Sequence, residues 1–512
     1  YLEACGKRIL IDYGMEQGRD VYENIRVPCA PSEIDYVFLT HAHIDHSGLL
    51  PLLYAGGFRG EIHATQATVS LCQIMLRDSA HIQEFEAEWR NRKAKRSGGD
   101  IYTPLYTMQE ALGSLEHFVP HPYGEKISIA DGITIRFLDA GHLLGSSSIE
   151  IWLEENGISK KLLFSGDIGN FHQPLIRDPQ YADTADYVIM ESTYGNRLHE
   201  KPKNYIQDFV QILLETFQRG GSVIIPSFAV GRTQELLYFL KQIKDQNLLG
   251  KYQDVPIYVD SPLAIEATEI FQRNKESCFD EEALAYVQRG ENPIGVSGLR
   301  TAVTSEASMA INADTRSKIV ISASGMCEAG RIKHHLKHNL WKPENTILFV
   351  GYQAVGTLGR RLLEGANYVT LFGESVKVAA QIRQLQGMSG HADQKGLELW
   401  IQHVQQVKKV FVIHGETTAA DTFTELLNEQ GISAYAPYSG TEFDVASGQF
   451  LHEAEPVYLE KPKSVKASAT YDRLQIALDR VTAYIQNARG YSNKELAKMA
   501  DQLTQLCNKW EQ

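Results

Sequence analysis

The stretch FLTHAHIDHSG, residues 38–48, decides how the rest of the chain is read. An apolar run, DYVFL, reads as a strand that ends at Thr40. Directly after it come His41, His43, Asp45 and His46. Three imidazoles and a carboxylate packed this closely supply the nitrogen and oxygen donors that divalent first-row metals take. A plain surface turn gathers no such set. Four donors cannot complete two coordination shells, so a two-metal site needs ligands from elsewhere. LDAGHLLG places His142 after a strand, FSGDIG places Asp167 after another, and FVIHGE places His414 after a third. Each alone is an ordinary loop residue beside glycine. Together they fit a cleft where several strands end at one edge of a sheet sandwich.

The chain has 512 residues, enough for roughly three folded units with sizeable cores. Lys and Arg number 50 against 63 Asp and Glu, a formal charge of −13, with 43% apolar and 22% charged residues. That composition is globular and excludes a disordered or fibrous chain. It also argues against nonspecific polyanion binding, without excluding one basic or metal-filled cleft. No apolar run is long enough to span a membrane and the first residues lack a signal-peptide layout, so a cytoplasmic address and no membrane partner are expected. The six cysteines are scattered without a CxxC pair, which fits reduced packing residues.

Short strands closed by Gly, Asp or His (RILIDYG, DYVFLTHAH, GEIHATQ) open the chain, followed by a helical pattern from Thr65 to about Arg92. Alternating strands return between Ile127 and Ser165. From Lys203 the pattern becomes strand then helix, repeated, as in a parallel sheet with covering helices. Near Gln384 the first style resumes. We therefore expect a first domain in two parts, 1–202 and 384–459, interrupted by an inserted domain at 203–383. EKPKSVKASAT (460–470) reads as a linker within a tail at 460–512. The stripes Leu474, Leu478, Val481, Ile485 and Leu496, Ala500, Leu503, Cys507 have helical spacing, and Ser492 with Glu495 forms a capping box. A helical hairpin is expected there, either docked on the body or joining two chains as a homodimer.

HAHIDH, the GH ending at His142, the SGD ending at Asp167 and IHGE resemble the successive metal motifs of the metallo-β-lactamase superfamily. MESTYGNR, PSFAVGRTQE, VDSPLA, SASGMCEAGR, VGYQAVGTLGRR and SGHAD resemble its β-CASP branch of nucleases. The resemblance runs over about residues 1–455. It implies an αββα sandwich with an inserted parallel-sheet domain, and one further strand before Tyr1. It implies two zinc ions, with manganese as the alternative. One would take His41, His43, His142 and Asp167, the other Asp45, His46, Asp167 and His414, with Asp167 bridging. Asp12, at the end of ILIDYG, would support these ligands from behind.

The chemistry of the insertion can also be argued from residue types. Ser227, Gly231 and Arg232 precede a helix, where free N–H groups and a guanidinium favour phosphate. GRIKHHLKH gathers Arg331, Lys333, His334, His335, Lys337 and His338, and either His334 or His335 answers to a basic motif of the branch. His391 resembles the histidine of the RNA-cleaving members, so RNA is expected over DNA, with Glu191 holding His391. The implied protein is a metal-dependent ribonuclease acting on single-stranded RNA, endonucleolytic and also 5′-exonucleolytic as an open alternative. Catalysis would fall to Asp45, His391 and Glu191, and substrate binding to Ser227, Arg232, Arg331, His334 and His335. A small-molecule hydrolase on the same fold, or a DNA nuclease of the branch, are the rival readings.

Overall fold

The computed structural model describes residues 1–16, 22–97, 101–199, 204–385, 387–459 and 468–510. Residues 460–467 of the expected linker, and Lys203 at the expected start of the insertion, lie outside the described residues.

Two sheets form a sandwich. The first has five strands in the order Leu2–Ala4, Lys7–Ile11, Tyr36–Phe38, Glu61–Thr65, Phe118–His121, parallel except for the first pair. The second has seven: Ala434–Tyr435, Lys409–Ile413, Tyr187–Glu191, Ile158–Phe164, Ser147–Glu155, Ile133–Asp139 and Ile127–Ala130. Its first four strands are parallel and the rest antiparallel. Side chains alternate across a strand, so neighbours serve different layers. Ile9 and Phe38 pack between the sheets with Ile135, Phe137, Ile149 and Ile151. Leu10 and Val37 face outward, in the cluster that holds Leu71 and Leu76 of the long helix Gln66–Ser97. On the far side, helices Gln394–Gln402 and Thr417–Glu429 bury Leu397, Trp400 and Phe423 against Val188, Val410 and Val412. These are the four layers of an αββα sandwich.

The third sheet has six strands, all parallel: Leu299–Thr301, Ile257–Val259, Ile319–Ser322, Val223–Pro226, Thr346–Phe349, Gln381–Gln384. Its central strands VIIP, IVIS and TILF are buried throughout, as a parallel sheet covered on both faces requires. Ile224, Val320 and Ile347 serve one face, and Val223, Ile225, Ile319 and Ile321 the other. Helices Tyr205–Gln218, Arg232–Asp245 and Pro262–Arg273 follow the expected alternation, two of them capped by Asn204 and Ser261.

The chain leaves the sandwich after Tyr187–Glu191 and returns through Lys409–Ile413, which pairs with it so that Glu191 lies opposite Ile413. That return places His414 beside Glu191 across a gap of more than two hundred residues. The tail forms helices Ser468–Asn487 and Asn493–Trp510, the first already running at Ser468, inside the expected linker. Ser492 and Glu495 make the capping box, with Ser492 N donating to Glu495 Oε2 at 3.0 Å and Glu495 N to Ser492 Oγ at 3.4 Å. Arg480 donates to Ala55 O, and a groove of about 840 Å³ separates the hairpin from the body, lined by Leu52, Leu105, Ile476, Ile485 and Leu503 among others. No helix among the described residues is long and apolar enough to cross a membrane.

Candidate metal centre

The parallel strands end at one edge, and their carboxyl ends deliver the donors. Tyr36–Phe38 leads to the histidine loop, Ile158–Phe164 to Asp167, Tyr187–Glu191 ends on Glu191, and Lys409–Ile413 precedes His414. Two main groups result, His41, His43, His142 and Asp167 in one and Asp45, His46 and His414 in the other, and Glu191 also comes within reach of Asp167 and His414. His43 Nδ1 lies 3.0 Å from His41 Nε2 and 3.2 Å from His142 Nε2, and Asp167 Oδ2 is 3.5 Å from both Nε2 atoms. In the second group His46 Nε2 and His414 Nε2 are 3.1 Å apart, with Asp45 Oδ2 3.7 Å from His414. Asp167 Oδ1 faces this group, 3.3 Å from His46 Nε2 and 3.5 Å from His414 Nδ1. One carboxylate thus touches both groups.

These separations test whether metal fits. Ligands bound tetrahedrally at about 2.0–2.1 Å lie about 3.3–3.4 Å apart, close to the spacings above. Asp167 Oδ1 is buried and makes no hydrogen bond, a costly state for a carboxylate oxygen unless a cation satisfies it. Burial holds the His41 and His142 pKa values well below the ordinary histidine range, so both are neutral, as ligands must be. Burial works against charge on Asp167 too, yet His414 and His46 outweigh it and hold the carboxylate ionised. His41, His142 and Asp167 are buried, whereas the His414 side chain is 32% exposed and leaves one side of the centre open.

A supporting shell fixes the ligands. Asp12 Oδ1 accepts from Thr40 N at 2.7 Å, while its Oδ2 accepts from Thr40 Oγ1 at 2.8 Å and lies 2.7 Å from His46 Nδ1. It does so from a left-handed backbone (φ +60°), which Asp tolerates better than most residues. Thr40 Oγ1 in turn sits 3.1 Å from His41 Nδ1, and Gly390 O is 2.8 Å from His142 Nδ1. Gly14 was not singled out from sequence, but it is required. A Cβ there would fall 1.8 Å from Asp45 O, because Tyr13 and Met15 donate to the carbonyls of His46 and Ile44. Gly169 is similar, 1.8 Å from Gly141 O, where the Asp167 and His142 loops touch. The signal for both was a glycine two residues beyond a strand-end aspartate. Asp12→Ala should lower metal affinity by about 10–100-fold with the fold intact, read by competition against a chromogenic chelator.

Glu191 and His391 meet at the edge of this centre. His391 Nδ1 lies 3.2 and 3.3 Å from the two Glu191 oxygens and 3.9 Å from Asp167 Oδ2, and its ring is 4.4 Å from that of His142. Glu191 also accepts from Ile168 N and Thr193 N, so its orientation is fixed before it meets the histidine. Burial works to lower the His391 pKa, but Glu191 and then Asp167 outweigh it and the net direction is upward.

The five residues expected to hold substrate have their polar groups engaged within the protein or lie to one side. Ser227 is buried and donates to Phe228 O. Arg232 pairs with Glu235 and donates to Met388 O at 2.7 Å, tying the inserted domain to the segment just before His391. His335 is fully buried, its Nε2 2.6 Å from Asp260 Oδ2 and its Nδ1 3.0 Å from Asn312 Oδ1. Arg331 binds Asp260 Oδ1 at 2.7 Å and the carbonyls of Ala302 and Val303. His334 is exposed but stacks on Phe372, ring centroids 4.4 Å apart. The organising residue, Asp260 of VDSP, is fully buried between Arg331, His335 and Ser308. Asp260→Ala would leave a half-buried guanidinium and the buried His335 without their carboxylate, and should cost about 3 kcal/mol of stability with metal content unchanged, measured by urea denaturation and metal analysis.

Comparisons with known proteins agree with this geometry. The metallo-beta-lactamase superfamily model matches residues 1–189, the Beta-Casp domain 233–362, and a Zn-dependent metallo-hydrolase RNA specificity domain 375–437. Ribonuclease TTHA0252 of Thermus thermophilus is 36% identical over 432 residues, covering 84% of this chain and 93% of that one. The chain belongs to the β-CASP branch of the metallo-β-lactamase superfamily. An RNase J-like protein of Methanocaldococcus jannaschii is 31% identical, covering 86% and 94% of the two chains. Transcription termination factor FttA of Methanosarcina mazei is 30% identical, but this β-CASP chain spans only 64% of its length. The RNA specificity model covers both His391 and His414.

Proposed function

We propose that this chain is a metal-dependent ribonuclease that hydrolyses phosphodiester bonds of single-stranded RNA. The observation that carries it is the Glu191–His391 pair set against a seven-residue metal cluster at an open edge between the sandwich and the inserted domain. His41, His43, His142 and Asp167 would hold one ion and Asp45, His46, Asp167 and His414 the other, zinc in preference to manganese. When bound, the ions would neutralise the scissile phosphate and supply hydroxide near neutral pH. Asp45 orients the attacking oxygen from the second group. His391, held at Nδ1 by Glu191, presents Nε2 to the departing oxygen and gives it a proton. Arg232 acts as a brace between the inserted domain and the segment before His391, while Arg331 is engaged within the inserted domain.

The division into 1–202, 203–383, 384–459 and 460–512 is part of the reading, supported by the two chain crossings between sandwich and parallel sheet. A cytoplasmic address is supported by six cysteines without a disulfide. We read the cleavage as endonucleolytic, with 5′-exonucleolytic action as the alternative. A small-molecule hydrolase would leave the inserted sheet without a role. The test is 5′-labelled and internally labelled RNA with and without chelator. Internal fragments that vanish with chelator are expected, and metal-independent cleavage would refute the reading.

We extend the proposal to a homodimer through the C-terminal hairpin. Leu474 and Leu478 remain 53% and 55% exposed on the first helix of the hairpin and do not line the groove against the body, so they are apolar surface that a second chain would cover. Light scattering should show the full chain as a dimer and a chain ending before residue 460 as a monomer with metal content unchanged. An unchanged size would leave the hairpin as a docked appendage.

A further inference from the structure

Strands Val223–Pro226 and Thr346–Phe349 are parallel neighbours, so their following loops leave the same edge of the inserted sheet. Ligands of open parallel sheets bind at that carboxyl edge. The first loop carries Phe228, 47% exposed, and the second carries Tyr352, 46% exposed. Facing them from the sandwich is the segment after Glu191, which holds Tyr194 and Arg197. The Arg197 guanidinium lies 4.2 Å from the centre of the Tyr194 ring and 5.7 Å from that of Tyr352, so one cation sits between rings from the two domains. Tyr194 is itself edge-on to His391, with ring centroids 6.0 Å apart.

This segment is built onto the His391 loop. Gln394 N donates to Arg197 O at 3.0 Å, Gln394 Nε2 to Gly195 O at 2.7 Å, and His199 N to Asp393 Oδ2 at 3.0 Å. His199 Nε2 also lies 2.9 Å from His391 O. The backbone of the Arg197 loop therefore moves with the general acid. Among the described residues the Arg197 guanidinium makes no ion pair and no side-chain hydrogen bond, in a protein with thirteen more acidic than basic residues. A guanidinium held between two rings and unpaired keeps its planar donors free for a phosphate, while the exposed ring of Tyr352 offers a face for a base.

We infer that Tyr194, Arg197 and Tyr352 form a clamp across the domain junction that stacks one base of single-stranded RNA and grips the phosphate next to the scissile one. Phe228, one strand over, continues the platform for the adjoining base. Stacking on aromatic side chains tolerates any base, so the clamp selects unpaired strands and not sequence. The inference rests on the ribonuclease reading for the position of the scissile phosphate.

The test compares metal-loaded wild type with Arg197→Ala, Tyr352→Ala and Tyr352→Phe on two substrates: a single-stranded RNA carrying 2-aminopurine, and bis(p-nitrophenyl) phosphate, which has no base. The alanine variants should raise KM for RNA about tenfold or more with kcat less affected, while hydrolysis of the small diester stays within about twofold. Tyr352→Phe, which keeps the ring, should behave as wild type. Stopped-flow quenching of 2-aminopurine reads binding apart from cleavage, and the alanine variants should lose it. Quenching without cleavage in wild type would support the clamp and overturn the ribonuclease reading. Unchanged RNA kinetics in both alanine variants would overturn the clamp alone. An equal loss on both substrates would make Arg197 a brace between domains and overturn it as well.

Discussion

Asp167→Ala is expected to reduce RNA cleavage to background and to strip metal from the protein. Its Oδ2 sits 3.5 Å from His41 and His142, and its Oδ1 3.3 and 3.5 Å from His46 and His414. No other carboxylate reaches both groups at these distances among the described residues. Removing it takes one ligand from each shell and leaves five imidazoles with Asp45 as the remaining carboxylate of the two groups. Metal chemistry of this kind supplies several kcal/mol of transition-state stabilisation, and each 1.4 kcal/mol is tenfold, so a loss of about 10³-fold or more follows. Metal analysis should fall from close to two ions per chain toward none, and His41→Ala should act in the same direction through the first group. Circular dichroism should stay near wild type, because Phe38, Val37 and the sandwich core do not touch the replaced carboxylate. Retention of both metals and of activity in Asp167→Ala would refute the dinuclear assignment.

How much of this was legible beforehand depended on how local the cause was. The HAHIDH loop could be read directly because its donors are neighbours in sequence. His142, Asp167 and His414 were found because each follows a strand, and parallel strands that share a sheet end at one edge. The layered sandwich and the parallel inserted sheet followed from periodicity in the same way. The cationic segment at 331–338 was different. Its residue types suggested a face toward phosphate, but what turns Arg331 and His335 inward is Asp260, 71 and 75 residues earlier, and no local pattern encodes that meeting. Arg232 is drawn aside by a carbonyl, Met388 O, and backbone acceptors leave no trace in composition. Gly14 and Gly169 matter through backbone approaches that only the packed chain reveals.

The inward turn of those cations changes where RNA specificity can reside. With Arg331 and Arg232 engaged in the protein, Arg197 is a cation among the described residues that stays unpaired beside His391. Affinity then comes from a few well-placed contacts and not from a basic surface, which agrees with a net charge of −13. Binding should accordingly be less salt-sensitive than for proteins that neutralise many phosphates.

His391→Ala is expected to cut the RNA cleavage rate by about 10²- to 10⁴-fold while leaving metal content intact, the range for a lost general acid. The separation of the two effects follows from geometry. His391 Nδ1 is taken by Glu191 at 3.2 Å, and His391 stands outside the groups of donors that face each other, whereas His142 and Asp167 beside it belong to them. Glu191 is buried and held by Ile168 N and Thr193 N, so it stays in place when the imidazole is removed. A Glu191→Gln variant should then show a smaller loss, because the amide can still orient Nδ1 but no longer favours the protonated ring. A substrate whose leaving group needs no proton separates acid catalysis from simple positioning. With p-nitrophenyl esters of a nucleotide the His391→Ala defect should shrink toward wild type, since p-nitrophenolate departs unaided. A defect of equal size on both substrates would mean that His391 positions the phosphate, and loss of metal in the same variant would make it a ligand.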